Sequence, residues 1–312
     1  YKGKISAMDR LISEYPESQY VDDALFEKGR SYVLLENSSS AAQAFEKLIR
    51  EFPLSSLARK AGIQLGLLYY NDNQPEKALA AYKQVISNYP GSEEAKIALQ
   101  DLKSVYIDLN DINAYASYVN SIGGNIRLEV GEQDSLTYIA AEKLFMRGDN
   151  DGARRSLINY LQTFPEGAFS SNANFYLGSI AFAKKEFDEA IQRFKSVIAS
   201  GDTKFLEESV ARTAEIEYLS KDYPAALESF KRLQIVAENP ENRQAARLGI
   251  MRCALQTGQQ KDALLAADEL LKEPKLSPEL EAEARYVRAK AYIAQTPVSY
   301  THLRAHETTL HL

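Results

Sequence analysis

The sequence predicts an all-α chain, an α-solenoid in which helix-turn-helix hairpins stack side by side. Three observations predict it. An aromatic residue followed by proline recurs at Tyr15-Pro16, Phe52-Pro53, Tyr89-Pro90 and Phe164-Pro165, with successive proline spacings of 37, 37 and 75, the last close to two periods. A period in the middle thirties is one helical hairpin per repeat. Within each period the apolar residues fall at helical spacing, and the chain is rich in Ala, Leu, Glu, Lys and Gln, which favour helix.

Ile5 to Tyr15 reads as the second helix of a hairpin whose first helix is missing. In the unit from Asp22 to Pro53, Leu25, Tyr32 and Val33 trace one helical stripe with Gly29 between them. Asn37 to Ser40 is a polar break. Ala41, Ala44, Phe45, Leu48 and Ile49 form a second stripe, and Phe52-Pro53 ends it, because proline cannot continue a helix and pushes its predecessor out of helical geometry. The next unit repeats the pattern through Leu65, Gly66 and Tyr69, then Ala78, Tyr82 and Val85, then Tyr89-Pro90. Helix punctuation agrees: Gln74-Pro75-Glu76, Ser92-Glu93-Glu94 and Ser277-Pro278-Glu279 each place a cap, a proline or acidic residues at a helix start.

At these residues the chain resembles the tetratricopeptide repeat family. The family pattern runs Leu-Gly, an aromatic three residues later, Ala nine after that, an aromatic four further on and Pro eight beyond. Leu65, Gly66, Tyr69, Ala78, Tyr82 and Pro90 match every position, and Gly29, Tyr32, Ala41, Phe45 and Pro53 match all but the Leu, which is Lys28. Later units are weaker but in phase: Ala153 and Leu157; Leu177, Gly178, Ala190 and Phe194; Ala226 and Phe230; Ala263 and Ala267. The unit from Ala95 to Val119 departs most, with Lys103 for the Gly and Tyr115 for the Ala. The resemblance covers about Ile5 to Thr296 and implies a right-handed solenoid of six recognisable hairpins, with a half-unit at each end. The small residues are expected where two helices approach closely, and the aromatics are expected to fill the space between one hairpin and the next. No hairpin buries its apolar face alone, so stacking makes the core.

Two stretches interrupt this organisation. Residues 121–134, with Gly123, Gly124 and Gly131, read as an irregular insertion or hinge between hairpins at 1–120 and at 135–296. Residues 297–312 read PVSYTHLRAHETTLHL and hold all three histidines of the chain, His302, His306 and His311. Val298 to Thr308 resembles one reading frame of a transposase-based sequencing adapter, so the segment is expected to be non-native and its His/His/Glu cluster is set aside as a metal site. The chain starts at Tyr1 and not at Met, so it is expected to be a fragment of something longer.

Bulk properties exclude several function classes. A net charge of -6 argues against nucleic acid or an anionic membrane as the main partner, since both reward clustered Lys and Arg. No apolar run is long enough to span a bilayer. The single cysteine, Cys253, excludes an internal disulfide and reads as a small core residue, since no native histidine is available to activate it. Arg147-Gly148-Asp149 reads as an inter-helix turn and not as an adhesion motif. Asp149-Asn150-Asp151-Gly152 lacks the later ligands of a calcium loop. Asp22-Asp23 and Glu207-Glu208 point about 100° apart on a helix and read as solvated helix starts. Catalytic residues, cofactors and metals are therefore all expected to be absent.

The resemblance leaves one surface for function. In the family the first helices line a concave groove that grips peptides or partner segments. The facing positions, three before and four after the Gly, carry Phe26 and Val33, Ile63 and Tyr70, Tyr138 and Phe145, Phe175 and Phe182, and Ala211 and Tyr218. For any one of them inter-repeat packing is an equally good reading. The Lys and Asn set with which one family variant clamps a C-terminal carboxylate is absent. The phrases YPESQYVDDALFEKGRSY and YPGSEEAKIAL are similar to the bacterial cell-envelope branch, which includes the lipoprotein subunit of the outer-membrane β-barrel assembly machinery and the Tol-Pal accessory protein. The chain is accordingly read as a protein-binding scaffold, periplasmic or tethered to the outer membrane, with the cytoplasm left open. Two rival readings stay open: the targeting arm of a larger enzyme, and a self-association module. Partner identity and oligomeric state are not legible.

Overall fold

A computed structural model describes residues 1–123, 127–201 and 203–295. The expectation of a non-native segment at 297–312 lies outside the described residues. The chain divides into two compact units, Tyr1–Lys143 and Leu144–Leu312. The first holds α1 (Lys2–Glu14), α2 (Val21–Leu34), α3 (Ser38–Glu51), α4 (Ser56–Asn71), α5 (Pro75–Asn88), α6 (Glu93–Asp108), α7 (Ile112–Ile122) and most of α8 (Val130–Met146). The second holds α9 (Asn150–Thr163), α10 (Ser170–Ala183), α11 (Phe187–Ser200), α12 (Thr203–Leu219), α13 (Tyr223–Val236), α14 (Pro240–Gln256), α15 (Gln260–Leu270) and α16 (Pro278–Gln295). No strand occurs among the described residues. Consecutive helices pack on one another from α1 to α7 and from α9 to α16, and first helices also touch their successors: α2 on α4 and α4 on α6, α10 on α12, α12 on α14 and α14 on α16. This is the all-α solenoid of hairpins that the repeat predicts.

One turn recurs at the ends of α2, α4, α6, α8, α10, α12 and α14. Glu36, Asn73, Asn110, Gly148, Lys185, Lys221 and Gly258 all have positive φ, between 53° and 82°. In each case the left-handed residue donates its N–H to the carbonyl three back, and the next residue donates to the carbonyl five back, as Glu36 to Val33 and Asn37 to Tyr32. This is the Schellman cap, which satisfies carbonyls that the helix end would leave bare. The residue after it opens the second helix. Asn37, Asp111, Asp149 and Asp222 there accept from backbone N–H groups of the first turn. Arg147-Gly148-Asp149 is one of these turns. At the other end of the hairpin, α1, α3, α5 and α9 stop at Tyr15, Phe52, Tyr89 and Phe164, all with φ near -130° and each followed by the proline that marked the period.

Small residues and rings make the hairpin core. Ala41, Ala78, Ala190, Ala226 and Ala263 are fully buried. A Cβ on Gly29 would lie 2.5 Å from the Phe45 ring, one on Gly66 2.4 Å from Tyr82, and one on Gly178 2.8 Å from Phe194. These aromatics therefore seat on the glycine of their own hairpin. The same rings also pack toward the next hairpin, Phe45 in one cluster with Ala61, Leu65 and Leu68 and Tyr82 in one with Ala98 and Leu102, as expected of residues that fill the space between hairpins. In α6 and α7, where Lys103 stands for the glycine, Lys103 instead pairs with Glu132 at 3.4 Å, and Tyr115 packs on Tyr106 at 6.0 Å.

Two expectations are corrected. The stretch 121–134 is not irregular throughout, since α8 already begins at Val130. Asp22 and Glu207 are not merely solvated helix starts. Asp22 accepts from the Ser55 hydroxyl at 2.7 Å, where Ser55 caps α4. Glu207 accepts from the Glu238 and Asn239 backbone N–H groups and from Asn242, at the start of α14. Each lies seven residues before the glycine or alanine of its helix and ties one hairpin to the cap of the next.

Candidate functional site

The facing residues occupy equivalent places on the first helices. Val33, Tyr70, Phe145, Phe182 and Tyr218 each offer the carbonyl that accepts from the left-handed turn residue, so the Schellman cap fixes them in the last turn of their helix. Their surroundings differ. In the first unit Phe26 is half-buried on Phe45 at 5.9 Å, Val33 is exposed, and Ile63 packs into the core. Tyr70 is half-buried and donates its hydroxyl to Asp108, which also accepts from Lys143. That tie draws α4, α6 and α8 together and occupies the hydroxyl internally. Tyr138 is 2% exposed and donates to Glu142 at 2.6 Å, so its ring offers no face to a ligand.

In the second unit the rings are gathered. Phe145 lies 4.6 Å from Tyr176, and Phe175 stacks on Phe205 at 4.2 Å with an interplanar angle of 15°. Phe182 lies under the Arg212 guanidinium at 4.9 Å. Tyr218 meets Tyr223 and Phe230 edge-on at 5.7 and 6.4 Å. Beside these last two a groove of about 380 Å³ opens between α12 and α14, with Phe230 and Leu233 of α13 as its floor. Ala211 and Tyr218 line it, as do Glu208, read above as a solvated helix start, and Arg212, Asn242, Leu248 and Arg252, which the sequence does not single out.

The groove has a local cause. Phe230 follows Ala226 by four residues, as Phe45 follows Ala41 and Phe194 follows Ala190. The residue twelve before that alanine is Gly29 or Gly178 in those hairpins, and it is Ala214 here. A methyl group at 214 denies the ring the seat that the glycines give. Phe230 lies instead on the next hairpin, where a Cβ on Gly249 would be 2.4 Å from the ring. Phe45 and Phe194 are fully buried, whereas Phe230 keeps 8% of its surface open to the groove. The signal was present in the sequence as Ala214 and Gly249, but it is readable only once the ring's usual seat is known.

The arginines on the groove wall are paired with carboxylates. Arg212 donates to Glu208 at 2.8 Å and to Glu215 at 3.0 Å. Arg252 forms a two-pronged pair with Glu283, at 2.7 Å for each bond, which together with Tyr218 holds the guanidinium above its ordinary value against the opposing cost of burial. Cys253 faces away into the core. It is fully buried, and burial pushes its thiol up to about 11, with Arg252 opposing weakly, so it carries no nucleophile at neutral pH. Among the described residues no group of three or more His, Cys, Asp or Glu could hold a metal ion, and no helix is long and apolar enough to cross a membrane.

Comparison with known proteins places this geometry. A family described as outer membrane lipoprotein matches residues 22–104, and a tetratricopeptide repeat family matches residues 140–203. The chain thus resembles tetratricopeptide-repeat proteins of the cell-envelope type. No curated protein matches it. Among solved structures, a tetratricopeptide repeat protein from Parabacteroides merdae ATCC 43184 is 14% identical, with a TM-score of 0.33 over 85% of this chain and 98% of that one. PilW, described as a widely conserved type IV pilus biogenesis factor, is 14% identical, with a TM-score of 0.36 over 85% and 99%. The Naa15/Naa10 complex bound to HypK-THB reaches 0.46 at 15% identity over 90% of this chain, but the match spans only 41% of that one.

Proposed function

We propose that the chain is a protein-binding scaffold of the bacterial cell envelope that takes a segment of a partner protein into the groove between α12 and α14. The observation that carries this reading is the groove itself, an open cleft with an apolar floor of Phe230 and Leu233 and a Tyr218 wall, at the facing positions of the repeat. Aromatic walls with a polar rim suit protein recognition, because a ring offers large contact area at low entropic cost. Phe182 and Ala211 extend the surface on the same side. Phe26, Val33, Ile63 and Tyr70 form a second, flatter stretch in the first unit, and Phe145 and Phe175 serve the ring cluster that supports the groove. The match to the outer membrane lipoprotein family over 22–104 supports a place at the periplasmic side of the outer membrane. No residue is assigned a catalytic role.

The test is a blocked groove. Ala245 is exposed and lines the groove, whereas Ile235 is exposed and does not line it. Ala245→Trp is expected to abolish capture of envelope proteins by the immobilised chain, and Ile235→Trp to leave it intact, with both variants melting within about 2 °C of wild type. Equal capture by all three would remove the groove from the account.

A further inference from the structure

The groove wall is chemically one-sided. Both of its cations are paired with carboxylates: the Arg252 guanidinium is held by two bonds to Glu283, and Arg212 donates to Glu208 and to Glu215. Two carboxylates thus share one guanidinium on α12. Glu208 is bound through Oε1 and Glu215 through Oε2, and among the described residues no donor reaches the other oxygen of either. Their side chains are 42% and 46% exposed, so an incoming group can reach them. Between these acceptors and the α14 side lies the apolar floor. A groove with open acceptors, where two guanidiniums face three carboxylates, favours a positively charged occupant and disfavours an anionic one.

Resting on the groove reading above, we propose that the occupant is a short peptide segment of a partner protein in which a Lys or Arg lies next to an apolar or aromatic side chain. The apolar side chain enters between Tyr218, Phe230 and Leu248, and the basic group meets Glu208 and Glu215 at the rim. A cavity of about 380 Å³ takes the side chains of a short stretch rather than the face of a whole helix, which is about 10–12 Å across. Phe182 under Arg212 holds that guanidinium in place, so the two carboxylates are pre-positioned and little side-chain ordering is left for binding.

The probe is a display library of random ten-residue peptides selected on the full chain. The expected consensus carries Lys or Arg within three positions of Leu, Phe or Tyr. Replacing that basic residue by Gln in a selected peptide, or making Glu208→Gln with Glu215→Gln, is expected to weaken binding about fivefold to tenfold and to flatten its salt dependence. Ala245→Trp is expected to abolish it. Peptides that are lost with Ala245→Trp but are indifferent to both Gln changes would overturn the basic-peptide assignment and leave the groove reading standing. Peptides indifferent to Ala245→Trp, or no enrichment, would overturn both. Sedimentation of the unliganded chain tests the remaining occupant, a second copy. Self-association abolished by Ala245→Trp would overturn the peptide assignment, and a monomer agrees with it.

Discussion

In the first unit, the second-helix rings Phe45 and Tyr82 are sealed onto Gly29 and Gly66 of their own hairpins, and each is 1% exposed or less. In the second unit Phe194 follows the same rule on Gly178, but Phe230 meets Ala214 and rests on Gly249 of the following hairpin. Glycine at this position goes with a sealed ring, and alanine goes with the ring that borders the groove. The first unit also uses Tyr70, Asp108 and Lys143 to tie its first helices together, where the second leaves Tyr218 at the groove wall. Charge divides differently. The first unit has fifteen Lys and Arg against twenty Asp and Glu, and the second has twenty-two against twenty-three. The chain's negative excess therefore lies mostly in the unit without this groove, so the groove's preference is set by Glu208 and Glu215 locally and not by the field of the whole chain.

The largest effects should fall on the sealed rings. Tyr82→Ala and Phe194→Ala each remove a fully packed ring and are expected to cost about 3–5 kcal/mol in denaturant melts, while Phe230→Ala, which already borders open space, is expected to cost about 2–3 kcal/mol. Equal costs would erase the distinction between seam and groove. Filling the glycines sharpens it further. Gly66→Ala forces a carbon to 2.4 Å from the Tyr82 ring, which is 1% exposed. After the gain in helix propensity it is expected to cost about 1–2 kcal/mol. Gly249→Ala meets a ring that can swing into the groove, so it is expected to be nearly neutral in stability, about 0–1 kcal/mol, while narrowing the groove and weakening peptide binding.

Breaking the tie in the first unit is expected to matter less. Asp108→Ala leaves Tyr70 and Lys143 without their shared acceptor and should cost about 1 kcal/mol, seen as faster hydrogen exchange in α4 and α6 but not in α12. The smallest effect at neutral pH is an alkaline one. Burial first, then the neighbouring Glu46, pushes the Tyr69 phenol from 10.0 up to about 12; burial first, then Glu132, does the same to Tyr115. Burial lifts the Cys253 thiol from 9.0 to about 11. In each case the folded chain keeps a proton that the unfolded chain loses, so above about pH 9 the unfolded state binds fewer protons and stability falls as pH rises. The melting temperature is expected to be flat near pH 7 and to fall steadily from about pH 9 to pH 12.

Much of this architecture was legible in the residues. The aromatic-proline pairs marked the ends of α1, α3, α5 and α9, and the family alanines marked the helix crossings, because both are local steric demands. The left-handed turn residues were not, since Glu36, Lys185 and Lys221 adopt a conformation that their side chains do not advertise. The partners of Asp22 and Glu207 were hidden for another reason: they lie 33 and 31–35 residues away. For the site, the facing positions that the family resemblance implies include Tyr218 and Ala211 of α12, and both line the groove. The resemblance could not tell that Tyr138, in the corresponding row, is buried, nor that Ala214 turns Phe230 outward. Periodicity gives the row, and packing against neighbours decides which member of it stays open.

The most direct test of the account is hydrogen exchange of the full chain with and without a display-selected peptide, read helix by helix. Protection is expected along α12 and α14, between Glu208 and Leu219 and between Asn242 and Arg252, with α2 and α4 unchanged. Protection confined to α2 and α4, around Phe26, Val33, Ile63 and Tyr70, would contradict it.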